Sequence, residues 1–198
     1  VAQNTLDNTG LIKSPEGGGA WNFISKQTAS ADSTISFTSG IDSTYKEYIF
    51  TFNNIHPSAN GGRLTFQGNV AGESGYNETM TTTVFQAESH ESDSSGALIR
   101  YRTSYDQANG TGFQTICQGI GNGNDESASG YLHLFNPSGT TFVKHFMSRM
   151  SIYENSDWNE NHFIAGYFNV TGAIDDIQFK MDSGNIDLGD ICLYGISS

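Results

Sequence analysis

The chain has 198 residues and a net charge of -12, from nine lysines and arginines against 21 aspartates and glutamates. This length suits one domain, and an acidic chain without clustered cations argues against binding to nucleic-acid phosphates. No run of residues approaches the ~18 apolar positions that a membrane-spanning helix needs, so we expect no membrane insertion. Charged residues make up only 15% of the chain. A polar but uncharged composition is typical of β proteins with many turns.

Residues 1–20 differ in composition from the rest of the chain. The segment LDNTGLIKSPEGGGA is poor in apolar residues and ends in three glycines before the final alanine. This composition predicts an extended N-terminal arm with a glycine hinge. From Trp21 onward apolar and polar residues alternate with a period of two. We therefore predict a β-sandwich domain over residues 21–198.

Segments with this alternation follow one another along the chain. In EYIFTFNN, for example, Tyr48, Phe50 and Phe52 share one face, with Thr51 and Asn53 on the other. Turn sequences such as NNIHPSANGG, NPSGT and MDSGN separate the segments. The pattern predicts an all-β fold, an antiparallel β-sandwich. The segments are WNFIS, TISFT, EYIFTFNN, RLTFQGNV, TMTTTVFQA, ALIRYRT, YLHLFN, FVKHFMSRMSIY, HFIAGYFNV, IDDIQFKM and DICLYGI.

The final segment, GDICLYGISS, has no later segment with which to form a hairpin. We expect residues 189–196 to form a strand that pairs with strands distant in sequence. Such pairing is typical of a Greek-key or jelly-roll arrangement rather than of a simple meander.

One segment departs from the alternation. In GFQTICQGIG, the residues Phe113, Ile116, Cys117 and Ile120 have the i, i+3, i+4, i+7 spacing of an apolar helix face, and Gly121 follows where a helix C-cap would lie. We predict one short helix here, which closes an end of the sandwich. The only other cysteine is Cys192, so we expect two buried free thiols and no disulfide framework.

Motifs for catalysis are absent: the sequence contains no HExxH, GxSxG, P-loop or CxxC pattern. His133 and His145 flank the NPSGT loop and could face each other as metal ligands, but without a third ligand we interpret them as ordinary surface histidines. A glycosidase could use a carboxylate pair from Glu88, Glu91 and Asp93. Because these residues lie in a loop rich in serine and glycine, we interpret them as solvent-exposed.

No cofactor is expected, although two loops leave one alternative open. GNGNDES and SHESDSSG carry several oxygen ligands, without the alternating acidic pattern of a calcium-binding loop. Structural calcium therefore stays an alternative to plain surface turns.

NSDWNENH is the segment that most strongly suggests a ligand. An exposed aromatic ring can stack on a sugar while asparagine and aspartate bind its hydroxyls. We therefore take Trp158, Asp157 and Asn159 as candidate saccharide-binding residues, together with Tyr105 from another loop. The alternative interpretation is that Trp158 folds back over the end of the sandwich.

Several long stretches resemble one known family. They are WNFISKQTASADSTISFTSGIDSTYKEYIFTFNNIHP, LHLFNPSGTTFVKHF and AGYFNVTGAIDDIQFKMDSGNIDLGDICLYGI. In this order they resemble the β-sandwich module of virion proteins from marine bacteriophages, including cyanophage and pelagiphage types. The resemblance spans Trp21 to Ile196. It implies a non-enzymatic part of the particle, such as a fibre, an appendage or a capsid-surface decoration, and it supplies no catalytic residues.

From the resemblance we expect a structural virion component. The N-terminal arm, which the resemblance does not cover, suggests by its composition the segment that attaches it to other virion proteins. It would be located in the virion after synthesis in a bacterial cytoplasm, where thiols stay reduced. We expect a homo-oligomer, with a trimer favoured by the resemblance. The alternative function is a glycan-binding module that recognises a host surface, and a glycan-cleaving enzyme is a third and weaker hypothesis.

Overall fold

The computed structural model describes residues 20–92 and 96–197. These residues form thirteen antiparallel strands and a 3-10 helix, Thr103–Tyr105, so the all-β prediction is confirmed. The strands are β1 Trp21–Thr28, β2 Ile35–Phe37, β3 Glu47–Pro57, β4 Gly62–Val70, β5 Met80–His90, β6 Ala97–Tyr101, β7 Ala108–Gly110, β8 Gln114–Ile120, β9 Ala128–Phe135, β10 Lys144–Glu154, β11 Trp158–Phe168, β12 Ile174–Met181 and β13 Ile186–Ile196.

Two further expectations concern the N-terminal arm and membrane insertion. Residues 1–19 of the predicted arm lie outside the described residues, and Ala20 directly precedes β1. Within the described ranges, no helix has the length and apolar character needed to cross a membrane.

The strands form one sheet that folds over into two layers. The larger layer has the order β1-β13-β3-β9-β10-β11-β5, and both β6 and β7 pair with the outer edge of β5. The smaller layer has the order β8-β4-β12-β2. The layers join where Glu154 of β10 pairs with Ile120 of β8. This junction lies beside a polar cleft that Glu154 helps to line.

Aromatic rings from both layers fill the space between them. Phe50 and Phe52 of the larger layer each meet Phe179 of β12 edge to face, with ring centroids 5.2 Å apart. Phe66 of β4 meets Phe146 of β10 in the same way at 5.0 Å. All five rings are almost fully buried. Because burial of one such side chain stabilises a fold by about 1.5–3 kcal/mol, these contacts hold the layers together.

The terminal strand β13 lies between two strands from the first third of the chain. It pairs with β3 on one side and with β1 on the other. The predicted pairing of residues 189–196 with distant strands is therefore confirmed. Ile191 and Leu193 point into the core and are fully buried.

The short helix predicted for GFQTICQGIG is wrong, because these residues form strand β8. Two irregularities in its pairing with β4 each leave one extra residue on β8, the first at Ile116 and the second beside Gly119, whose φ is +67°. A bulge shifts the in-out alternation by one residue. Both Ile116 and Cys117 are consequently buried. A two-residue period interrupted by two bulges imitates the spacing of a helix face.

Both cysteines are free and buried, as predicted. Burial raises the pKa of the Cys117 thiol well above its ordinary value. The thiol is the unreactive form, so Cys117 is a core residue rather than a nucleophile.

Two leucines of β13 give a matched test of the terminal strand. Leu193 is fully buried, whereas Leu188 is 58% exposed. We expect Leu193→Ala to lower the free energy of unfolding by about 2–5 kcal/mol, because burial is lost and a cavity remains. Leu188→Ala should change it by less than about 1 kcal/mol. Urea titrations measure both values, and equal losses would contradict the position of β13 in the core.

Candidate functional site: a polar cleft at the junction of the layers

A cleft of about 480 Å³ opens where the two layers join. Trp158 and Tyr105 line it together with an unusual set of charged side chains. The charged set includes three of the four arginines in the chain, although the protein as a whole is strongly acidic. It consists of Arg63, Arg100, Arg102, Glu88, Glu154, Glu160 and Asp182.

Two buried carboxylates lie at the base of the cleft. Glu88 of β5 is directly opposite Glu160 of β11, and the two residues are 6% and 5% exposed. Like charges opposite each other destabilise a sheet unless other groups compensate. Gln86 supplies one compensation, since its Nε2 donates to Glu88 Oε2 at 2.7 Å and to Glu160 Oε1 at 3.0 Å. Gln118 of β8 donates to Glu160 Oε2 at 3.3 Å.

The arginines supply the rest of the compensation. Arg100 of β6 places its Nε 2.6 Å from Glu88 Oε1. Arg102 donates its Nε to Gln86 Oε1 at 2.7 Å, and its Nη2 lies 3.9 Å from Glu160 Oε1. Burial of a carboxylate costs little only when the group is paired and hydrogen-bonded, and both conditions hold here.

On the opposite wall, Arg63 of β4 forms another arginine–carboxylate pair with Asp182, which directly follows β12. Arg63 donates its Nε to Asp182 Oδ2 at 2.7 Å, and its Nη2 lies 2.6 Å from the same oxygen. The hydrogen bond to Asp182 raises the pKa of Arg63. The guanidinium carbon also lies 5.7 Å from the centre of the Tyr105 ring, within the range of a cation–π contact.

Glu154 and Glu160 have pKa values shifted in opposite directions. Burial by itself raises the pKa of Glu160, but the hydrogen bond with His162 at 2.9 Å and the charges of His162 and Arg102 outweigh burial and leave that pKa below its ordinary value. For Glu154, burial is the leading effect and raises the pKa, and the charge of Glu160 adds to it. Glu160 therefore stays ionised, while Glu154 keeps its proton to a higher pH.

The structure brings together two of the four residues predicted to bind a saccharide. Trp158 is the first residue of β11; it is half-buried, and its ring meets the His90 ring edge to face at 4.8 Å. It lines the same cleft as Tyr105, which ends the 3-10 helix. Asp157 lies in the β10–β11 turn, and Asn159 lies on the opposite face of β11. Neither lines the cleft. Asn159 points away because neighbours along a strand point to opposite sides, and Asp157 precedes the strand.

The interpretation of Glu88 as a solvent-exposed loop residue is wrong. Glu88 lies inside β5, whose alternation continues through Glu88 to His90. Sequence reasoning also missed Gln86, Glu160 and His162. The available signal was a pair of polar residues at alternate positions on a face that also carries core residues. Gln86 and Glu88 follow Val84 on β5. Glu160 and His162 precede Ile164 on β11. Glu91 is exposed after the end of β5, and Asp93 lies outside the described residues.

The histidine pair considered as a metal site is not brought together as ligands. His133 and His145 lie on the paired strands β9 and β10, but His133 is opposite Met147. The Nε2 of His133 lies 3.0 Å from Glu47 Oε2. In the part of the chain that the structure describes, no group of three or more His, Cys, Asp or Glu side chains could hold a metal ion.

No family model, no curated protein and no solved structure matches this chain.

The opposite pKa shifts predict opposite effects of two isosteric substitutions. Ionised Glu154 destabilises the folded chain above its raised folded pKa, so Glu154→Gln should raise the Tm at neutral pH. The gain should fade below the ordinary carboxyl pKa, where the group is protonated in both the folded and the unfolded chain. Glu160→Gln should instead cost about 1.5–3 kcal/mol at neutral pH, because a charged hydrogen-bond acceptor is lost.

The loss in Glu160→Gln should shrink as the pH falls through the lowered folded pKa of Glu160, since the wild-type chain then loses the same contribution. Thermal melts of both variants across the acid range measure these differences. Shifts of the same sign at neutral pH would contradict the assigned electrostatics.

Proposed function

We propose that the chain is a non-enzymatic saccharide-binding module and that the cleft is its binding site. The supporting observation is the combination, in one cleft, of the Trp158 ring with a fixed array of carboxylate, amide and guanidinium groups. The apolar face of a sugar stacks on an aromatic ring, and its hydroxyls bond to groups of these kinds.

The charges of the cleft favour a ligand that is close to neutral. Three guanidinium groups face four carboxylates, so the lining has one negative charge in excess when every group is ionised. The raised pKa of Glu154 reduces this excess. Arg63 and Arg100 are already engaged by Asp182 and Glu88, so the arginines offer hydrogen-bond donors rather than a free positive charge for an anion.

The network is also organised before any ligand arrives. Gln86 bonds to Glu88, Glu160 and Arg102 at once, so its amide has one orientation that satisfies all three partners. Binding then costs less side-chain entropy than it would for free surface side chains.

For the protein as a whole, we propose a structural component of a bacteriophage virion, such as a fibre, an appendage or a capsid-surface decoration. The resemblance of the segments from Trp21 to Ile196 supports this setting. The cleft would then recognise a glycan of the host surface, while residues 1–20 attach the module to other virion proteins. A rigid β domain without catalytic motifs suits such a part of a particle.

Glycan cleavage is a second candidate function that one observation favours. Carboxyl groups whose pKa values are shifted apart, such as Glu154 and Glu160, are the pattern of an acid and its ionised partner. However, Glu160 already accepts bonds from Gln86, Gln118 and His162. Such engagement suits a structural carboxylate better than a nucleophile, so binding without cleavage is the better supported proposal.

The chain has two tryptophans, which allow a matched test of the cleft. Trp158 lines the cleft, and Trp21 lies 53% exposed on β1. On an array of neutral and acidic glycans, we expect the wild-type chain to bind neutral structures. Trp158→Ala should weaken that binding about two- to tenfold, because an aromatic contact contributes about 0.5–1.5 kcal/mol. Trp21→Ala should bind as the wild type does.

Three results would overturn this proposal: no binding by the wild type, equal losses in both variants, or shortened oligosaccharides after incubation with the wild type. The last of these, measured by mass spectrometry, would instead support the enzymatic candidate. Thermal melts of both variants provide the control for folding.

The virion setting has a separate test. We expect a chain that lacks residues 1–18 to fold with an unchanged Tm but to be absent from assembled particles, because the attachment segment is removed. Immunoblots of purified particles made with the full and the shortened chain measure incorporation. Normal incorporation of the shortened chain would show that the sandwich itself carries the attachment surface.

A further inference from the structure

The outer face of the larger layer is apolar over several strands. Alternate residues of β5, β11 and β10 are buried in the core, and the residues between them face outward. The pairing register sets these outward residues side by side in rows. One row consists of Tyr101, Phe85, Phe163, Arg149, Tyr131 and Thr51. The next consists of Thr83, Ala165, Met147, His133, Ile49 and Tyr194. We call these two rows the aromatic face.

Large side chains of this face are open to solvent. Phe85 is 44% exposed, Tyr101 58% and Met147 54%. The rings of Phe85 and Phe163 stack nearly parallel, with centroids 4.8 Å apart and an angle of 3°. Exposed apolar surface that is continuous over several strands marks an interaction site in most proteins.

The distribution of charge identifies the partner. The chain carries a net charge of -12, so two copies repel each other through most approaches. Neither row contains an aspartate or glutamate, and the carboxylates that touch the face, Glu47 and Asp106, are engaged by His133 and Tyr101. The single arginine of the face, Arg149, lies over the Phe163 ring at 5.0 Å. Two copies therefore meet with the least repulsion through this face. A basic partner would instead be drawn to surfaces that carry carboxylates.

The size of the face is sufficient for such contact. Six strands about 4.8 Å apart, and the two rows of the face with the adjoining row of Ile99, Ala87, Asn161 and Ser151, about 7 Å apart, cover on the order of 600 Å². A specific interface of ordinary size buries about 800 Å² of accessible surface on each partner, and side chains add accessible area beyond the flat estimate. We propose that the aromatic face binds a second copy of this chain, so that the protein is a homo-oligomer.

This contact leaves the cleft accessible. On β6, Ile99 and Tyr101 point outward with the aromatic face, while Arg100 between them lines the cleft. Self-association and ligand binding thus use opposite sides of the same strand. The inference does not depend on the saccharide proposal, and either can fail without the other.

Phenylalanine-to-aspartate substitutions inside and outside the face test the inference. Light scattering and sedimentation of the wild-type chain, at tens of micromolar, should give a multiple of the monomer mass. Phe85→Asp should yield monomers, because it places a carboxylate in the contact of an acidic chain. Phe142→Asp is the matched control; Phe142 is 73% exposed on the loop between β9 and β10, so the oligomer should persist.

Met147→Asp provides a second disruption on the face, and circular dichroism shows which variants remain folded. If Phe85→Asp does not fold, the mass of Met147→Asp tests the inference instead, and we expect a monomer. A monomeric wild type, or an oligomer that survives both disruptions or is lost in Phe142→Asp, would overturn the inference. A monomeric wild type whose glycan binding is lost in Phe85→Asp would also overturn it and would assign the aromatic face to a saccharide.

Discussion

The alternation of side chains along β5 and β11 is the constraint on which the rest of the structure depends. Val84 and Ile164 occupy inner positions in the core, and the inner positions turn polar after Val84 on β5 and before Ile164 on β11. The outer positions of the same strands carry Phe85 and Phe163. A slip of one residue would bury the rings and expose Glu88. One register thus creates the core, the cleft and the aromatic face together.

The polar cluster at the cleft is not explained by stability. Buried ion pairs seldom stabilise a protein more than apolar residues of the same size would. The cluster also leaves the Nδ1 of buried His162 without a hydrogen-bond partner in the described structure, which adds a cost. Aromatic contacts such as that of Phe52 with Phe179 already stabilise the fold, so its stability does not require these charges. A cluster that costs stability and opens onto a cleft is better explained by a role in binding.

The sequence predicts the parts of this fold that depend on local pattern. Period-two alternation identifies most strands, and the position of DICLYGI indicates pairing with distant strands, as β13 shows. It fails at β8, where two bulges imitate a helix, because a bulge is set by the partner strand and not by the residues of the segment. Local pattern therefore gives the number and type of the elements more surely than their irregularities.

The candidate site is harder to predict, because its residues come from strands distant in sequence. Trp158 and Tyr105 stand out as aromatic residues in polar surroundings, and the fold sets both in one cleft. Asp157 and Asn159 looked equivalent to Trp158 only because they adjoin it in sequence. Asn159 points to the other face of β11, and Asp157 lies in the turn before it. Glu88 and Glu160 become partners through the β5–β11 register alone. No pattern within either segment contains that information.

The separation of the two sites has a consequence for binding strength. Neighbouring residues of β6 point to opposite sides, so Arg100 serves the cleft while Tyr101 serves the aromatic face. Contact between copies through the aromatic face would place several open clefts in one oligomer. A cleft with two aromatic rings and hydrogen bonds that compete with water would bind a single sugar weakly. Clustered copies turn a second binding event into an intramolecular one and raise the overall affinity by orders of magnitude without any new contact. The proposed recognition and self-association would therefore be complementary, and the alternation of residues along β6 places them on opposite sides.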